Sequence, residues 1–411
     1  MVLHVDLRHV VHALSDALDL VGIDDVNHGK RVGTMAAECG RVLGLGEDDR
    51  NFLFDLGLLH DIGVSSTRTH RHLVTEFDWK GSQAHCQRGC ELLQGFQPLA
   101  AMALPVRYHH TRWDSLADSA EVDGRVALQA NLVFLTDRVD ALAAPHYAAG
   151  VLGAAADIRA QIALHAGSYF APHLVDAFER ASASEAFWLQ LEPRGLGAVL
   201  HDMAARQAPY RATLPQLRQL AELFARIVDS KSRYTAEHSQ GVARLARHMA
   251  ACMGLPRLQC DKLEIAGLLH DLGKLRIPDE ILDKPGPLDE RERRIMHTHS
   301  FETFQILRNI RGLEEITPWA AYHHEEPDGS GYPFRLAGAQ LAVEARILRV
   351  ADIFQAMVQD RPYRKGLNAQ QVLAFFDTLL AQGRVDAHIV AVLQADPEAA
   401  MACALGCAAP A

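Results

Sequence analysis

The chain has 411 residues, of which 49% are hydrophobic and 22% charged, and it carries a formal net charge of −10 at pH 7. This length predicts two or three soluble globular domains, and the acidic balance excludes a broad surface for nucleic-acid polymers, which would need clustered Lys and Arg. The seven cysteines form no CxxC pair, and no apolar stretch reaches the length of a membrane span. We therefore expect a cytoplasmic protein that does not contact membranes.

Helical periodicity runs through most of the chain, and the alternation typical of strands is scarce. Prolines and glycine in residues 192–215 interrupt this periodicity. They predict a boundary between one domain at residues 1–208 and another at residues 209–411. The sequence as a whole predicts an all-α protein.

Three stretches of the C-terminal half carry clear helix signals. Residues 238–254 repeat apolar side chains on one face, and Gly254 supplies a stop signal. Asp289 and Glu292 resemble a capping box that opens the next helix. Residues 345–358 form another apolar stripe. The Ala-rich tail from about residue 395 is either a last helix or frayed.

One set of metal-ligand residue types occurs twice. Corresponding residues of the two copies are 210 positions apart for the first ligands of each set. This separation grows to 214 and then 215 along the chain, because the second copy is longer by four residues and then by one more. A self-match of this length indicates a duplicated domain rather than a short repeat. The N-terminal set is His28, His60, Asp61, His85, His109, His110 and Asp137, and the C-terminal set is His238, His270, Asp271, His299, His323, His324 and Asp352.

Imidazole and carboxylate ligands suit zinc, iron, manganese or nickel. Seven ligands are too many for one tetrahedral metal and about right for two. Two cations about 3.5–4 Å apart, bridged by a carboxylate, activate a water and neutralise charge on a transferring phosphoryl group. A single histidine is more often a hydrogen-bonded core or surface residue. The complete set is hard to explain that way, because unpaired burial of so many polar groups is costly.

The C-terminal half carries further groups suited to a phosphate ester. Residues 328–333 read DGSGYP, a turn sequence that can bring backbone amides and the Tyr332 ring against a ligand. The alternative for this stretch is a plain surface loop. Lys274 follows Asp271 by three residues, and Arg361 and Arg364 offer guanidinium groups for bidentate phosphate contact. Cations, an aromatic ring and two metals together predict a phosphate ester that carries a base.

Four blocks of this half match a known family. They are His238-Ser239, LLHDLGK at 268–274, HHEEPDGSGYP at 323–333, and the run from Arg346 to DRPYR at 360–364. On these blocks, residues 220–366 resemble an HD-GYP domain, a branch of the HD phosphohydrolase superfamily. The resemblance implies a helical fold, a centre of two or three metals that often contains iron or manganese, and hydrolysis of cyclic dinucleotides such as c-di-GMP. Some members prefer 3′,3′-cGAMP.

The resemblance also implies roles for individual residues. Asp271 would bridge two divalent ions, for which iron or manganese is expected and zinc or nickel is the alternative. The first metal would be bound by His238, His270, Asp271 and Asp352, and the second completed by His299, His323 and His324. Phosphate would be held by Lys274, Arg361 and Arg364, the nucleotide contacted by Tyr332, and catalysis assigned to Asp271 and Lys274.

Several positions depart from the family pattern. Members with a third metal carry Glu where this chain has Tyr234, so a two-metal centre is expected. Gln355 and Ser232 occupy positions that are often Asp, which affects ligand orientation or proton handling. Thr303 replaces a common Gly and Ser300 a common Pro, which we interpret as variation in packing.

The N-terminal half resembles a plain HD domain. Asp140 stands at the register of Gln355, but Val64 replaces Lys274, His146 and Ala149 replace the two arginines, and no GYP loop follows His110. We therefore expect a smaller phosphate ester there. One candidate is the linear dinucleotide released by the other half, which would lose its 5′-phosphate. The alternative is a structural or regulatory domain that binds metal without turnover.

Together these observations predict a phosphodiesterase that opens a cyclic dinucleotide, its small-molecule partner, to the linear form. A nucleotidase for mononucleotides and a non-catalytic cyclic-dinucleotide receptor are the alternatives. The DGSGYP loop and Lys274 count against the first alternative, and the intact ligand set counts against the second. The sequence carries no signal for a protein partner or an oligomeric state.

Overall fold

The computed structural model describes residues 5–22, 27–117, 119–147, 150–206, 211–231, 237–360 and 365–407. The chain divides into two compact units. The first unit is Val10–Tyr210, and the second unit is Arg211–Ala411 together with Met1–His9.

The first unit is built from helices. Short 3₁₀ turns lie at Leu20–Gly22, Gln97–Met102, Ala144–His146 and Val151–Gly153. The α-helices are α1 (Leu7–Asp19), α2 (His28–Val42), α3 (Glu47–Leu59), α4 (Thr67–Thr75), α5 (Gln83–Gln94), α6 (Ala103–Tyr108), α7 (Trp113–Leu116), α8 (Gly124–Ala143), α9 (Ala155–Leu164), α10 (Pro172–Ala181), α11 (Glu185–Leu189) and α12 (Pro193–Arg206).

Helix α8 is central to the core of the first unit. It is buried on most of its faces, as expected for a helix without a strongly polar side. Its Phe134 packs in one buried cluster with Phe170, Phe178 and Trp188. These large side chains fix α8 between α2 and the later helices, so the ligand that α8 carries is held on a rigid element.

The second unit adds one short strand pair to a set of helices. Val5 lies opposite Ala212 in the antiparallel pair β1 (Val5–Asp6) and β2 (Arg211–Ala212). Turns of 3₁₀ type lie at Leu272–Arg276 and Gly338–Gln340. The helices are α13 (Leu214–Asp229), α14 (His238–Cys252), α15 (Arg257–Leu269), α16 (Asp279–Leu282), α17 (Glu290–Leu307), α18 (Ile316–Ala321), α19 (Val343–Val358), α20 (Ala369–Ala381), α21 (Ala387–Ala395) and α22 (Pro397–Leu405).

The prediction of an all-α tandem fold is confirmed. Helix α14 ends just before Gly254, which has a φ of +77°. Asp289 and Glu292 form the expected capping box at the start of α17, with both hydrogen bonds at 2.8 Å. The Ala-rich tail contains α22.

The division between the two units falls within the interrupted stretch, at Tyr210 and Arg211. The interrupted stretch at 192–215 contains helix α12, which begins at Pro193. Proline is tolerated in the first turn of a helix, where its missing N–H has no partner to lose. Pro193 therefore marks the start of a helix.

The helices and the cysteines bear on two expectations from the composition. None of the described helices is both long and apolar enough to cross a membrane. The seven cysteines are free thiols, and Cys86 and Cys90 are buried on α5.

Each unit contains one pair of helices that approach unusually closely. A Cβ atom built on Gly57 of α3 would lie 2.4 Å from the Cα atom of Gly33 on α2. In the second unit, a Cβ on Gly267 of α15 would lie 2.7 Å from the Cα atom of Ala243 on α14. Glycine at this register lets the two helices that carry the first ligands pack backbone to backbone.

We predict that Gly57→Val destabilises the protein by about 1–3 kcal/mol, because the added side chain must push α2 and α3 apart. Chemical denaturation measures this loss. The matched control is Gly197→Ala in α12, where a Cβ atom meets nothing within 4 Å. That control should be neutral or stabilising by about 0.5–1 kcal/mol. Equal stability of Gly57→Val and the wild-type protein would contradict the close approach.

Candidate metal centres and substrate site

Five segments of the second unit converge on one cluster. Histidine or aspartate ligands lie at the start of α14, after α15, on α17, after α18 and on α19. The residue before the first ligand, Glu237, has a left-handed φ of +70°, and Asn27 in the first unit has +82°. Non-glycine residues rarely adopt this conformation outside functional or strained sites. The turn aims the first ligand histidine of each unit inward.

Asp271 stands at the middle of the cluster, with its two oxygens facing different histidines. Its Oδ2 lies 3.2 Å from Nε2 of His270 and 3.7 Å from Nε2 of His238. Its Oδ1 lies 3.5 Å from Nε2 of His299 and 3.9 Å from Nε2 of His323. A carboxylate between two groups of nitrogen donors has the arrangement needed to bridge two cations.

The remaining ligands complete the two groups. Asp352 Oδ1 lies 3.2 Å from His238 Nε2 and 3.7 Å from His270 Nε2. His324 joins His299 and His323, and the donor atoms of these three lie within 4.8 Å of one another. The structure thus brings together all seven residues that the spacing singled out in this half.

Backbone carbonyls orient three of the imidazole rings. The Nδ1 atoms of His270, His299 and His323 each lie 2.6 Å from the carbonyl oxygen three residues earlier. A carbonyl only accepts, so Nδ1 carries a proton in each ring, and the neutral form of the ring presents its Nε2 lone pair to the cluster. Such contacts fix both the tautomer and the direction of a metal ligand.

Several buried atoms of the cluster fit a cation. Nε2 of His238, Nε2 of His270 and Oδ1 of Asp271 are buried and have no hydrogen-bond partner among the described residues. Leaving such atoms unsatisfied costs about 1–3 kcal/mol each. Nitrogen and oxygen donors without thiolate suit a divalent transition metal. The residues of the second unit therefore fit a two-metal centre.

The pKa values describe which rings can coordinate directly. Burial lowers the pKa of His299 to about 4 and that of His323 to about 3, so both rings are neutral at pH 7. Burial also lowers the pKa of His270, but the carboxylates of Asp271 and Asp352 outweigh it and raise the value to about 10. Metal binding at His270 must therefore displace a proton.

Position 273, two residues after Asp271, has room only for glycine. A Cβ atom there would lie 2.0 Å from the carbonyl oxygen of His299. Thr303 joins the same two segments, because its Oγ1 accepts from the Gly273 amide at 2.9 Å and donates to the His270 carbonyl at 3.1 Å. We interpreted Thr303 as packing variation, but it makes a polar connection between the two ligand-bearing segments.

The DGSGYP loop folds back onto the second group of ligands. Tyr332 stacks on His324, with ring centroids 4.8 Å apart, and on His297, with centroids 3.8 Å apart. Gly329 has a φ of +82°, as expected for the turn. His297 was not singled out from the sequence, although it lies two residues before the ligand His299 on α17.

Two glutamates anchor this loop. The carboxylate of Glu325 accepts from the backbone amides of Phe334 at 2.6 Å and Leu336 at 2.9 Å. Glu326 Oε1 accepts from Arg349 at 2.6 Å and from Arg384 at 2.7 Å. Arg349 is buried on α19, one turn before Asp352. The loop and the metal-ligand helix are therefore joined by a buried ion pair.

The structure shows the surroundings of some of the other residues that the resemblance singles out. Lys274 Nζ lies 2.5 Å from Oδ2 of Asp271, so its ammonium faces the bridging carboxylate. Gln355 is buried, and its Oε1 has no hydrogen-bond partner among the described residues. The predictions for Arg361 and Arg364 lie outside the described residues, as do those for Ser232, Tyr234 and Ala149.

The first unit repeats the same arrangement. Asp61 Oδ1 lies 3.2 Å from His85 Nε2 and 3.7 Å from His109 Nε2. Its Oδ2 lies 3.6 Å from His60 Nε2 and 3.9 Å from His28 Nε2. Asp137 contributes Oδ1 at 3.3 Å from His28 and Oδ2 at 3.7 Å from His110. All seven residues of the N-terminal set are also brought together.

The surroundings of the first cluster differ from those of the second. Asp140 accepts from His28 Nδ1 at 2.7 Å and binds the Arg31 guanidinium through Nε at 2.7 Å and Nη2 at 3.0 Å. Tyr147 donates to the same carboxylate at 2.6 Å. The second unit has Gly241 and Gln355 at the registers of Arg31 and Asp140. At this position the first unit has a buried carboxylate that contacts His28, whereas the second unit has the side-chain amide of Gln355.

A buried arginine also contacts the first cluster. Arg138 Nη2 lies 2.8 Å from Oδ2 of Asp137 and donates at 2.9 Å to the carbonyl of Leu73. Sequence reasoning missed Arg138 and Arg31, since no pattern shows which arginines lie inside. The cavity beside this cluster has a volume of about 20 Å³, which is room for about one water.

An aspartate behind the first ligand was missed in both units, although the register reveals it. Asp229 and Asp19 are 210 residues apart, like the ligands that follow them. Asp229 accepts from Ser239 at 2.8 Å, and Asp19 accepts from Lys30 at 3.0 Å. Burial raises the pKa of Asp229 to about 7 against the opposing hydrogen bond from Ser239.

Comparison with known proteins places this geometry in a family. Two family profiles, each described as an HD domain, match the chain at residues 26–142 and 222–389. The 3′3′-cGAMP-specific phosphodiesterase 1 of Vibrio cholerae is 36% identical over 397 residues, which cover 95% of this chain and 91% of that protein. The chain belongs to the HD-GYP family, with a second HD domain before the HD-GYP domain. HD domains are metal-dependent phosphohydrolases.

Other relatives match all or part of this HD-GYP protein. The 3′3′-cGAMP-specific phosphodiesterase 3 of Vibrio cholerae is 27% identical and covers 87% of this chain and 76% of its own. The cyclic di-GMP phosphodiesterase PA4108 of Pseudomonas aeruginosa is 38% identical over 34% of each chain. A crystal structure of V-cGAP3, a cyclic GMP-AMP specific phosphodiesterase of V. cholerae, has a TM-score of 0.65, 24% identity and 98% coverage of both chains. This last similarity supports the fold.

We predict that Asp271→Asn abolishes hydrolysis by this HD-GYP domain and lowers the bound metal by at least one ion per chain. The amide cannot supply two anionic oxygens to two cations. Elemental analysis gives the metal content, and circular dichroism checks that the helices remain. Asp377→Asn, on the exposed face of α20, is the control and should change neither quantity. Full metal content and normal turnover in folded Asp271→Asn would contradict a bridging role.

Proposed function

We propose that the protein hydrolyses one phosphodiester bond of a cyclic dinucleotide and releases the linear dinucleotide, with 3′,3′-cGAMP as the preferred substrate. The observation that carries this proposal is the Asp271 carboxylate, which lies between two groups of ligands beside the DGSGYP loop. The preference follows from the V. cholerae relative that matches nearly the whole chain.

The second unit would hold two divalent metals, with iron or manganese favoured and zinc or nickel as alternatives. The first would be held by His238, His270, Asp352 and Oδ2 of Asp271, and the second by His299, His323, His324 and Oδ1 of Asp271. Such a pair supplies an activated water and neutralises charge on the phosphoryl group. Buried unpartnered atoms on both sides of Asp271 support this assignment.

The protein's own groups would position the substrate. Lys274, on the side of Asp271 that faces His270, can hold a phosphate oxygen as negative charge develops. Tyr332 would contact the nucleotide, and its stacking on His297 and His324 fixes the plane of its ring. We also propose phosphate contacts for Arg361 and Arg364.

The proposal is tested by product analysis of the metal-loaded protein with 3′,3′-cGAMP and c-di-GMP in parallel. We expect linear products from the phosphodiester hydrolysis, with a higher kcat/KM for 3′,3′-cGAMP. A higher value for c-di-GMP would reverse the preference while keeping the reaction. Release of product from mononucleotides alone, or tight binding of cyclic dinucleotides without turnover, would support the nucleotidase or the receptor instead.

Removing the lysine should separate chemistry from metal binding. We predict that Lys274→Ala keeps its metal, because all seven ligands remain, and loses roughly 10²–10³ in kcat/KM through lost stabilisation of the transition state. Lys284→Ala, which removes the same charge from a partly exposed pair with Glu292, is the control. Loss of metal in Lys274→Ala would show that its ammonium supports the ligands instead of the phosphate.

The first unit would hold a second metal site, through His28, His60, Asp61, His85, His109, His110 and Asp137. Its retained ligand set supports metal binding, and Asp140 adds a carboxylate that orients His28. A phosphate monoester needs more room than the cavity of about 20 Å³ beside this cluster. This small volume favours a structural or regulatory metal site, and dephosphorylation of the linear dinucleotide is the alternative that analysis of the products tests.

We predict that His60→Ala/Asp61→Ala leaves ring opening largely intact and blocks any further dephosphorylation of the linear product. The matched His270→Ala/Asp271→Ala protein should fail to open the ring and still dephosphorylate linear dinucleotide supplied to it. Chromatography of the products distinguishes the two. If the wild-type protein stops at the 5′-phosphorylated linear dinucleotide, the first unit is structural or regulatory. Loss of ring opening in folded His60→Ala/Asp61→Ala would show that the two sites are coupled.

A further inference from the structure

The cluster of the first unit contains a thiol that the ligand pattern did not include. Cys86 follows His85 on α5, is fully buried, and has its Sγ 3.7 Å from Nε2 of His85. The second unit has Ser300 at the same register, with Oγ 3.3 Å from Nε2 of His299. Each cluster therefore places one further side chain against the second ligand histidine, a thiol in one unit and a hydroxyl in the other.

The distances from His85 to its neighbours, Cys86 among them, fit a shared cation. His85 Nε2 lies 3.2 Å from His109 Nε2 and 3.2 Å from Asp61 Oδ1. Zinc binds sulfur at about 2.3 Å and imidazole nitrogen at about 2.0–2.1 Å, so ligand atoms on one tetrahedral ion lie roughly 3.3–3.6 Å apart. The separations of sulfur, nitrogen and oxygen donors around His85 are close to these values.

A second feature points to a ligand at this place. The Oδ1 atom of Asp61, which faces His85 and His109, is buried and has no hydrogen-bond partner among the described residues. His60, with its side chain 1% exposed, also has an unpartnered Nε2 in the same cluster. These atoms need a positive partner, and the sulfur of Cys86 contacts the His85 ring whose Nε2 faces Asp61 Oδ1.

We propose that Cys86 is a metal ligand, and that the first unit binds a thiophilic divalent cation such as Zn²⁺ through Cys86, His85, His109 and Asp61. This inference rests on the proposed metal site of the first unit. The thiol donates to the carbonyl of Ser82 at 3.3 Å in the metal-free arrangement. Coordination would release that proton to solvent, and the thiolate would bind the cation.

The two units would then differ in metal preference. A thiolate favours soft or borderline cations, whereas Ser300 leaves the second cluster with imidazole and carboxylate donors. Closed four-ligand sites with a thiolate are typical of metals that stay bound. The small cavity beside the first cluster is consistent with a retained ion.

The test uses cobalt as a spectroscopic substitute in full-length protein. Metal-free His270→Ala/Asp271→Ala, which disables the second cluster, is titrated with Co²⁺ while bound cobalt is counted by elemental analysis. We expect a near-ultraviolet thiolate-to-cobalt charge-transfer absorption. Adding Cys86→Ser should remove that absorption, and the control Cys90→Ser, one turn later on α5, should keep it. Circular dichroism verifies the fold of each variant.

The outcomes separate this inference from the proposed metal site. Bound cobalt without charge-transfer absorption, or absorption that survives Cys86→Ser, overturns the role of Cys86 and leaves the metal site standing. Failure to bind any cobalt overturns both. The reciprocal variant, Ser300→Cys in His60→Ala/Asp61→Ala, should gain the absorption in the second cluster. Its absence with cobalt bound would contradict the shared geometry of the two registers.

Discussion

The structure of each cluster depends on one ionised carboxylate, whose two oxygens face two different groups of histidines. In the second unit, Asp271 is buried, and its pKa is held well below the usual range against burial by His270 and Lys274. Burying an anion of this kind is costly unless positive groups surround it on both sides. His270 and Lys274 supply positive charge at Oδ2, whereas Oδ1 faces the neutral rings of His299 and His323, where a cation would supply the missing charge. Gly273 then lets α17 come close enough to bring His299 to the far oxygen.

The sequence was sufficient to single out the histidine and aspartate residues that the structure brings together, and the reason is the duplication. The HD pairs lie 210 residues apart and the HH pairs 214, so the pattern in one half checks the pattern in the other, and the helical periodicity around both pairs is strong. Contacts such as Thr303 with His270, or Glu326 with Arg349, join elements 33 and 23 residues apart. No local pattern shows which polar side chains meet across such distances. Cys86 lies outside the pattern of His and Asp residues, and its partner by register, Ser300, is the sequence signal that draws attention to it.

The two halves show how one arrangement of ligands can be adapted by its neighbours. In the first unit, Asp140 and Arg31 form a buried carboxylate and guanidinium pair behind His28. In the second, Gln355 and Gly241 stand at those positions, and Lys274 faces the bridging carboxylate instead. Groups around metal ligands tune affinity and solvent access as much as the ligands do. The chain therefore varies its chemistry at a constant ligand geometry.

The ion pair between Glu326 and Arg349 has a consequence for how ligands communicate. Glu326 belongs to the loop that carries Tyr332, and Arg349 lies one turn before Asp352 on the same rigid helix. Under the proposed function, a nucleotide that shifts the loop would also shift the helix that carries Asp352, a candidate metal ligand. Because coupling between two binding events is reciprocal, a metal that tightens the hold on substrate is itself held more tightly once substrate arrives. The turn after the histidine pair would in this way connect substrate binding to metal binding.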